Sequence, residues 1–192
     1  MPSTSKEPPC HLDALGDGPK PFGVLGHVGG SLGAVRFPAM HEAVRELEPL
    51  DAAACDAIVA GLPDWFGNEQ GIRDCALAVR SHTGLVATDE SGVTGFLSWT
   101  HDRDRGVAEI TWMAVRATSR RRGIGRSLLG ALIERLREEQ VHRLDVKTLS
   151  ERAAYAPYAE TRAFYLANGF VPVAELDIWD EDNPAVLLRR SL

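Results

Sequence analysis

The sequence predicts a mixed α/β fold, one sheet flanked by helices. Three observations predict it. Ala108 to Leu136 passes from a β-branched, apolar strand pattern through a short arginine- and glycine-rich turn into a helix pattern. Gly84–Thr88 and Val93–Thr100 alternate like the two arms of a hairpin, with Glu90-Ser91-Gly92 at the turn. Along the chain the patterns read strand, two helices, three strands, helix, strand, helix, two strands. At 192 residues the chain is long enough for one domain with a sizeable core.

The elements follow in order. Residues 1–38 are rich in Pro, Gly and Ser and show little periodicity, so a flexible leader is expected there and a domain over 39–192. The run from Gly23 to Val35 is glycine-rich but lacks a strand–turn–helix setting and is not read as a phosphate loop. Val44–Leu47 alternates as a short strand. Asp51 is the expected N-cap of a helix from Ala52 to Leu62, ended by Gly61 and Pro63. Trp65 and Phe66 fall in the loop that follows, and a second helix is expected over Glu69–Val79. Asp102–Gly106 is a polar turn whose reach suggests another antiparallel pairing. After the long helix, Arg143–Leu149 places Leu144, Val146 and Thr148 on one side and Asp145 and Lys147 on the other. Ser150–Glu160 reads as a loop, Thr161–Asn168 as a helix stopped by Gly169, and Phe170–Val173 and Ala185–Arg189 as closing strands. Trp179 and Asp180–Pro184 lie between those strands.

Composition narrows the function. Hydrophobic residues at 44% and charged residues at 25% are ordinary for a soluble globular protein. A net charge of -6 argues against a general nucleic-acid binder, whose footprint is basic. Arg116, Arg120, Arg121, Arg122 and Arg126 are therefore a local feature of an acidic chain, better suited to a small polyanion than to a duplex. Cys10, Cys55 and Cys75 are widely spaced and give neither a disulfide framework nor a zinc site. The six histidines show no metal-ligand spacing, so no metal is expected. No apolar run is long enough for a membrane span, and the start of the chain lacks the pattern of a signal peptide. A cytoplasmic protein is the default expectation.

The turn carries the chemistry. A strand that delivers a glycine turn to a helix N-terminus leaves the first helical N–H groups unpaired and faces them with a favourable dipole, which is an anion site. Gly123 and Gly125 leave room for a phosphate near the backbone. The spacing is not that of a Walker A loop, because Arg126-Ser127 follows Gly125 and no glycine stands at the required offset before it. It is not a dinucleotide fingerprint either, because Leu128 stands where the third glycine belongs. What stands there is R-x-x-G-x-G, Arg120 to Gly125. This resembles the pyrophosphate motif of the GCN5-related N-acetyltransferase (GNAT) superfamily. The fuller pattern V-h-P-x-x-R-G-x-G-I-G aligns without gaps onto Val115–Gly125, with Ala117 for the usual proline, Ser119 for the usual aromatic and Arg121 for the first glycine. Ala163 to Phe170 resembles the second family signature, A-x-x-F-Y-x-x-x-G-F, at the usual distance. Together the two cover about the C-terminal half of the chain.

The resemblance implies a GNAT fold, with a central, largely antiparallel sheet, and acetyl-CoA as cosubstrate. It implies that backbone N–H groups of Arg121, Arg122, Gly123, Ile124, Gly125, Arg126 and Ser127 wrap the pyrophosphate, with Arg120, Arg122 and Arg126 adding charge. It makes Met113 and Val115 main-chain partners of the pantetheine arm. Tyr165 matches the tyrosine many members use as general acid, since a phenol of pKa about 10 can protonate a leaving thiolate. Glu109 stands where histone-type members carry their general-base glutamate; the alternative is an ordinary strand-edge carboxylate. Glu46 and Glu48 are weaker candidates. Tyr158 stands where the family commonly has an asparagine that touches the cofactor arm, and its role is expected to be either that contact or one facing the acceptor.

Trp65, Phe66, Trp112, Tyr155, Tyr158 and Trp179 are an aromatic set of which some are expected to line an amine pocket, Trp65, Trp112, Tyr158 and Trp179 foremost. Asp64, Glu69, Asp177 and Asp180 are candidate partners for a cationic acceptor. The expected activity is transfer of an acetyl group to a primary amine of a small molecule by direct attack in a ternary complex. Cys55 and Cys75 offer no motif for an acetyl-enzyme. The alternatives are a protein lysine or N-terminal acetyltransferase, a larger acyl group, and a GNAT-like module that binds CoA without catalysis. Family members often form homodimers, but no interface is marked in the sequence.

Overall fold

The computed structural model describes residues 43–179 and 183–192. The expected leader at 1–38, Cys10 and Asp180 lie outside those residues. One seven-stranded sheet runs through the domain: β1 (Ala43–Glu46), β2 (Thr83–Asp89), β3 (Gly92–Asp102), β4 (Val107–Val115), β5 (Arg143–Leu149), β6 (Val171–Leu176) and β7 (Ala185–Ser191). Their order is β1-β2-β3-β4-β5-β7-β6, antiparallel throughout except for the parallel pair β4 and β5. The helices are α1 (Ala52–Ala60), α2 (Glu69–Ser81), α3 (Ile124–Glu138) and α4 (Pro157–Ala167).

Two apolar layers hold the sheet. On one face Leu128, Leu129, Leu132, Ile133 and Leu136 of α3 meet Leu97, Trp99, Ile110, Met113, Val115, Leu144 and Val146. A helix of this length is marginal alone, so the burial of that stripe, about 1.5–3 kcal/mol per large side chain, is what stabilises it. On the other face α1 and α2 bring Cys55, Ile58, Val59, Cys75 and Val79 against Val86, Phe96, Trp112 and Ala114. The α4 helix serves both layers, giving Tyr158 to the second and Phe164 and Tyr165 to the first.

Local chemistry explains the ends of these elements, with two corrections to the sequence reading. Asp51 stands at the N-cap position of α1, as expected, but its side chain makes no cap bond. It ends a 3-10 turn, Pro49–Asp51, and its buried carboxylate accepts two bonds from Arg45, each 2.7 Å, and one from the Glu48 N–H at 2.9 Å. A guanidinium outcompeted the cap. The last helix begins at Pro157 rather than Thr161, because a proline has the backbone angle of a first helical turn and no N–H to lose. Tyr158 thus belongs to a helix and is buried. Asp145, on the side of β5 opposite Leu144, Val146 and Thr148, is buried in a bidentate pair with Arg189, at 2.8 and 2.9 Å. Other ends follow the same local rules. Asn68 caps α2 through the Gln70 N–H, and Gly169, at φ +83°, closes α4 with a Phe170 N–H to Tyr165 C=O bond.

Candidate active site

The centre of the site is a gap between two strands. The parallel ladder of β4 and β5 runs from Val107↔Arg143 to Ile110↔Val146 and stops there, although β4 continues to Val115 and β5 to Leu149. Beyond that point β4 still pairs with β3, and β5 with β7, so the two strands part into a wedge. A bulge accompanies the parting. Ser98 and Trp99 of β3 face Trp112 and Ile110, which leaves Thr111 as the extra residue. Thr111 is therefore the first β4 residue past the ladder, and Lys147 the first of β5.

On the α3 side of the wedge Tyr165 is fully buried, edge-on to Phe164 and Phe170 with ring centroids 5.3 and 5.1 Å away. Its hydroxyl points at the Met113 sulfur, 4.0 Å distant. Thr148 of β5, also past the ladder, keeps a buried hydroxyl with no hydrogen-bond partner. The structure thus gathers Tyr165, Met113 and Thr148 around the opening.

The glycine turn lies at the end of β4. Gly123, at φ +87°, precedes α3, and the first helical bond runs from Ser127 N–H to Gly123 C=O at 2.9 Å. That geometry leaves Ile124, Gly125 and Arg126 N–H without intrahelical acceptors. A Cβ placed on Gly123 would meet nothing within 4 Å, so the space above the turn is open. Arg121 holds φ +62° at the position where the motif carries glycine. The arginines are not equivalent. Arg116 donates to Val93 C=O and Ser91 Oγ and braces the β2–β3 hairpin. Arg120 is mostly buried, pairs with Glu160 at 2.7 Å and stacks over Trp65 at 4.4 Å, its Nε unpartnered. Arg121 lies 3.4 Å from Glu160, Arg122 lies 3.9 Å from Asp89, and Arg126 is exposed.

A family model, the acetyltransferase (GNAT) domain, matches residues 80–172, which take in the wedge, the turn and Tyr165. That segment is a GNAT acetyltransferase domain. Solved structures share its fold. One from Desulfovibrio desulfuricans, described as an acetyltransferase of the GNAT family, superposes with a TM-score of 0.69 at 20% identity, over 79% of this chain and 99% of that one. The ribosomal-protein-S18-alanine N-acetyltransferase from Escherichia coli gives 0.63 at 19%, over 79% and 94%. A Salmonella typhimurium protein described as an acetyltransferase, solved with its cofactor acetyl-CoA, gives 0.57 at 19%, over 79% and 94%. No curated protein matches the sequence.

A GNAT acetyltransferase domain implies acetyl-CoA as cosubstrate, which would supply the activated acetyl group. The residues present fit it. The open turn at Gly123 offers unpaired N–H groups to a pyrophosphate, and the parted backbones with the unpartnered Thr148 hydroxyl offer polar groups to an amide-bearing arm.

The opposite face of the GNAT wedge is polar. Glu109 accepts from Lys147 Nζ through both carboxylate oxygens, at 2.6 and 2.9 Å. Thr111 Oγ1 lies 2.9 Å from Ser98 Oγ and 3.2 Å from His82 Nδ1. Lys147, Thr111, Ser98 and His82 were not singled out as site residues in the sequence, because a bulge and a ladder end leave no pattern in one strand. The remaining base candidates sit elsewhere: Glu46 pairs with Arg135 at 2.6 Å near the β1 edge, and Glu48 is exposed beside it.

The predicted aromatics do converge, but as core. Trp65 is 8% exposed, Trp112 3% and Tyr158 0%. Tyr158 donates to Trp65 C=O at 3.0 Å, and Phe66 stacks on Trp112 at 6.1 Å. Tyr155 and Trp179 pack half-buried at the rim of that cluster. Burial, then the nearby Asp64 charge, raises the Tyr155 phenol above its ordinary value. Of the acidic candidates, Asp64, Glu69 and Asp177 are exposed, and Glu69 pairs with Arg73. Cys55 is buried and its thiol is pushed up to about 12 by burial first, then by Asp51 and Asp56. Among the described residues no cluster of His, Cys, Asp or Glu could hold a metal, and no helix is long and apolar enough to cross a membrane.

Proposed function

We propose that the protein is an acetyl-CoA-dependent N-acetyltransferase acting on a primary amine of a small molecule, by direct attack in a ternary complex. The observation that carries the reading is the wedge itself, with a buried phenol on one face and a polar strip on the other. A cosubstrate and an acceptor entering from opposite faces need no carrier residue between them. Cys55, with its thiol near 12, is a poor nucleophile at neutral pH, which favours direct transfer.

In this reading Arg122, Arg126 and the N–H groups of the turn hold the pyrophosphate, and Met113 and Val115 offer their backbones to the arm. Tyr165 gives a proton to the departing sulfur. Arg120 supports the turn from behind through Glu160 and Trp65, besides any phosphate it touches. Glu109 orients Lys147 at the acceptor side, and it takes a proton only by giving up that pair. Trp179 at the rim meets the acceptor, while Trp65, Trp112 and Tyr158 shape the wall from within.

Calorimetric titration with acetyl-CoA, followed by thiol-release assays over small amines and peptides, tests this. Turnover with amino acids, polyamines or aminoglycosides supports it. Turnover with peptides alone moves the assignment to a protein acceptor, and tight binding without turnover to a non-catalytic module.

A further inference from the structure

An amine acceptor reaches neutral pH as an ammonium and must lose a proton before it can attack. Glu109 is poorly placed to take it, since Lys147 occupies both of its oxygens. A different group of atoms stands at the apex of the wedge. Thr111, the bulge residue, is half-buried and turns its hydroxyl to the buried Ser98 and to His82 at the end of α2. His82 in turn lines a groove of about 420 Å³ that opens between the C-terminal ends of α2 and α3, walled also by Thr100, His101, Arg103, Arg135 and Glu139. Hydroxyl, imidazole and open groove thus form an unbroken line from the wedge to water.

We propose that Thr111 and His82 are the proton exit of the acceptor side, a proposal that rests on the amine reading above. The relay takes Ser98 as the donor to Thr111, which directs the Thr111 proton at His82 Nδ1. The ammonium gives one proton to Thr111 Oγ1 as the Thr111 proton passes to Nδ1, and the imidazolium formed sheds its Nε2 proton into the groove. The nitrogen then forms the amide bond as the carbon–sulfur bond breaks, and its second proton is balanced by the one that ends on the sulfur. A histidine is suited to this because a neutral imidazole accepts at one ring nitrogen and donates from the other. The charged groups around it offset one another in part. In the groove Arg135 pairs with Glu46 and Glu139, His101 pairs with Glu139 at 3.1 Å, and Arg103 is exposed; β4 and β5 contribute the Glu109–Lys147 pair.

Two measurements test the relay. In the protein without cosubstrate, long-range ¹⁵N NMR reads the His82 tautomer. The relay requires Nδ1 unprotonated and Nε2–H, and an Nδ1–H tautomer overturns it, because Thr111 then accepts where it has to give. With the amine found by thiol release, His82→Gln and Thr111→Val lower kcat/KM by about 100-fold near pH 7, the size of one acid–base contribution. They also abolish the acidic limb of its pH profile, while the acetyl-CoA Kd stays unchanged. Thr111→Ser keeps a hydroxyl and restores both. A His82→Gln protein with wild-type rate and pH profile overturns the relay alone. A wild-type protein that binds acetyl-CoA and acetylates no amine overturns the amine reading, and the relay with it.

Discussion

Replacing Gly123 by alanine separates the fold of the glycine turn from its use. At φ +87° and ψ -1° the residue sits in left-handed space, where an L side chain costs about 1–2 kcal/mol. The unfolded chain loses freedom with alanine and returns about 0.4–1 kcal/mol of that. The added Cβ meets no atom within 4 Å, so no clash is added. The net cost is about 1 kcal/mol, which lowers Tm by about 2–4 °C in a chain of this size. Binding suffers more. The methyl intrudes on the approach to the Ile124, Gly125 and Arg126 N–H groups, and losing one charge-assisted bond costs about 1.5–3 kcal/mol, a weakening of acetyl-CoA affinity by about 10- to 100-fold. Gly169→Ala is the matched control. Its φ is +83°, its added Cβ lies 3.7 Å from the Arg190 guanidinium, and it caps α4 away from the turn. Differential scanning fluorimetry and calorimetric titration read the two effects. Equal Tm losses in both variants, with acetyl-CoA affinity unchanged in Gly123→Ala, refute the assignment of the turn as the phosphate cradle.

Three further outcomes are expected. Arg121→Gly relieves the left-handed strain at φ +62° and raises Tm by about 2–4 °C; a fall in Tm means that the 3.4 Å pair with Glu160 outweighs it. The Arg45 guanidinium, then the Glu48 N–H, hold the Asp51 carboxyl below the usual carboxylate range against the opposing effect of burial. Its contribution is complete above the unfolded pKa of about 3.9 and is lost as pH falls through the lower folded value, so Asp51→Asn costs about 1 kcal/mol in urea melts at pH 7. That low-end figure reflects an Arg45 side chain 41% exposed to solvent, and the gap to wild type closes on acidification; a gap that widens contradicts the sign. Native Cys55 resists iodoacetamide at pH 8 and is alkylated only after unfolding, as peptide mass mapping reads, because burial keeps its thiolate scarce.

Much of the fold was legible because it rests on local periodicity. The α3 stripe from Leu128 to Leu136, the alternation of β2 and β3 and the glycine stops at Gly92 and Gly169 are readable from neighbouring residues. The boundaries that shifted did so through partners distant in space or rules of the first helical turn. Asp51 answered to Arg45 instead of the helix behind it, and Pro157 started α4 inside what reads as a loop. The aromatic set was found as a set, but its role changed with burial. Residues as far apart as Trp65 and Tyr158 reveal their hydrogen bond only when α4 is laid beside the α1–α2 loop.

The sequence by itself determined the order of strands and helices, the glycine turn before α3 and the tyrosine that follows it, because each is written in residues a few positions apart. Only the tertiary structure decided where β4 and β5 part, that Thr111 is the bulge, that Lys147 claims Glu109, and that His82 connects the wedge to a groove. Those facts depend on register between strands and on the packing of helix ends, which are settled by the summed burial of two apolar layers and by no single stretch of chain.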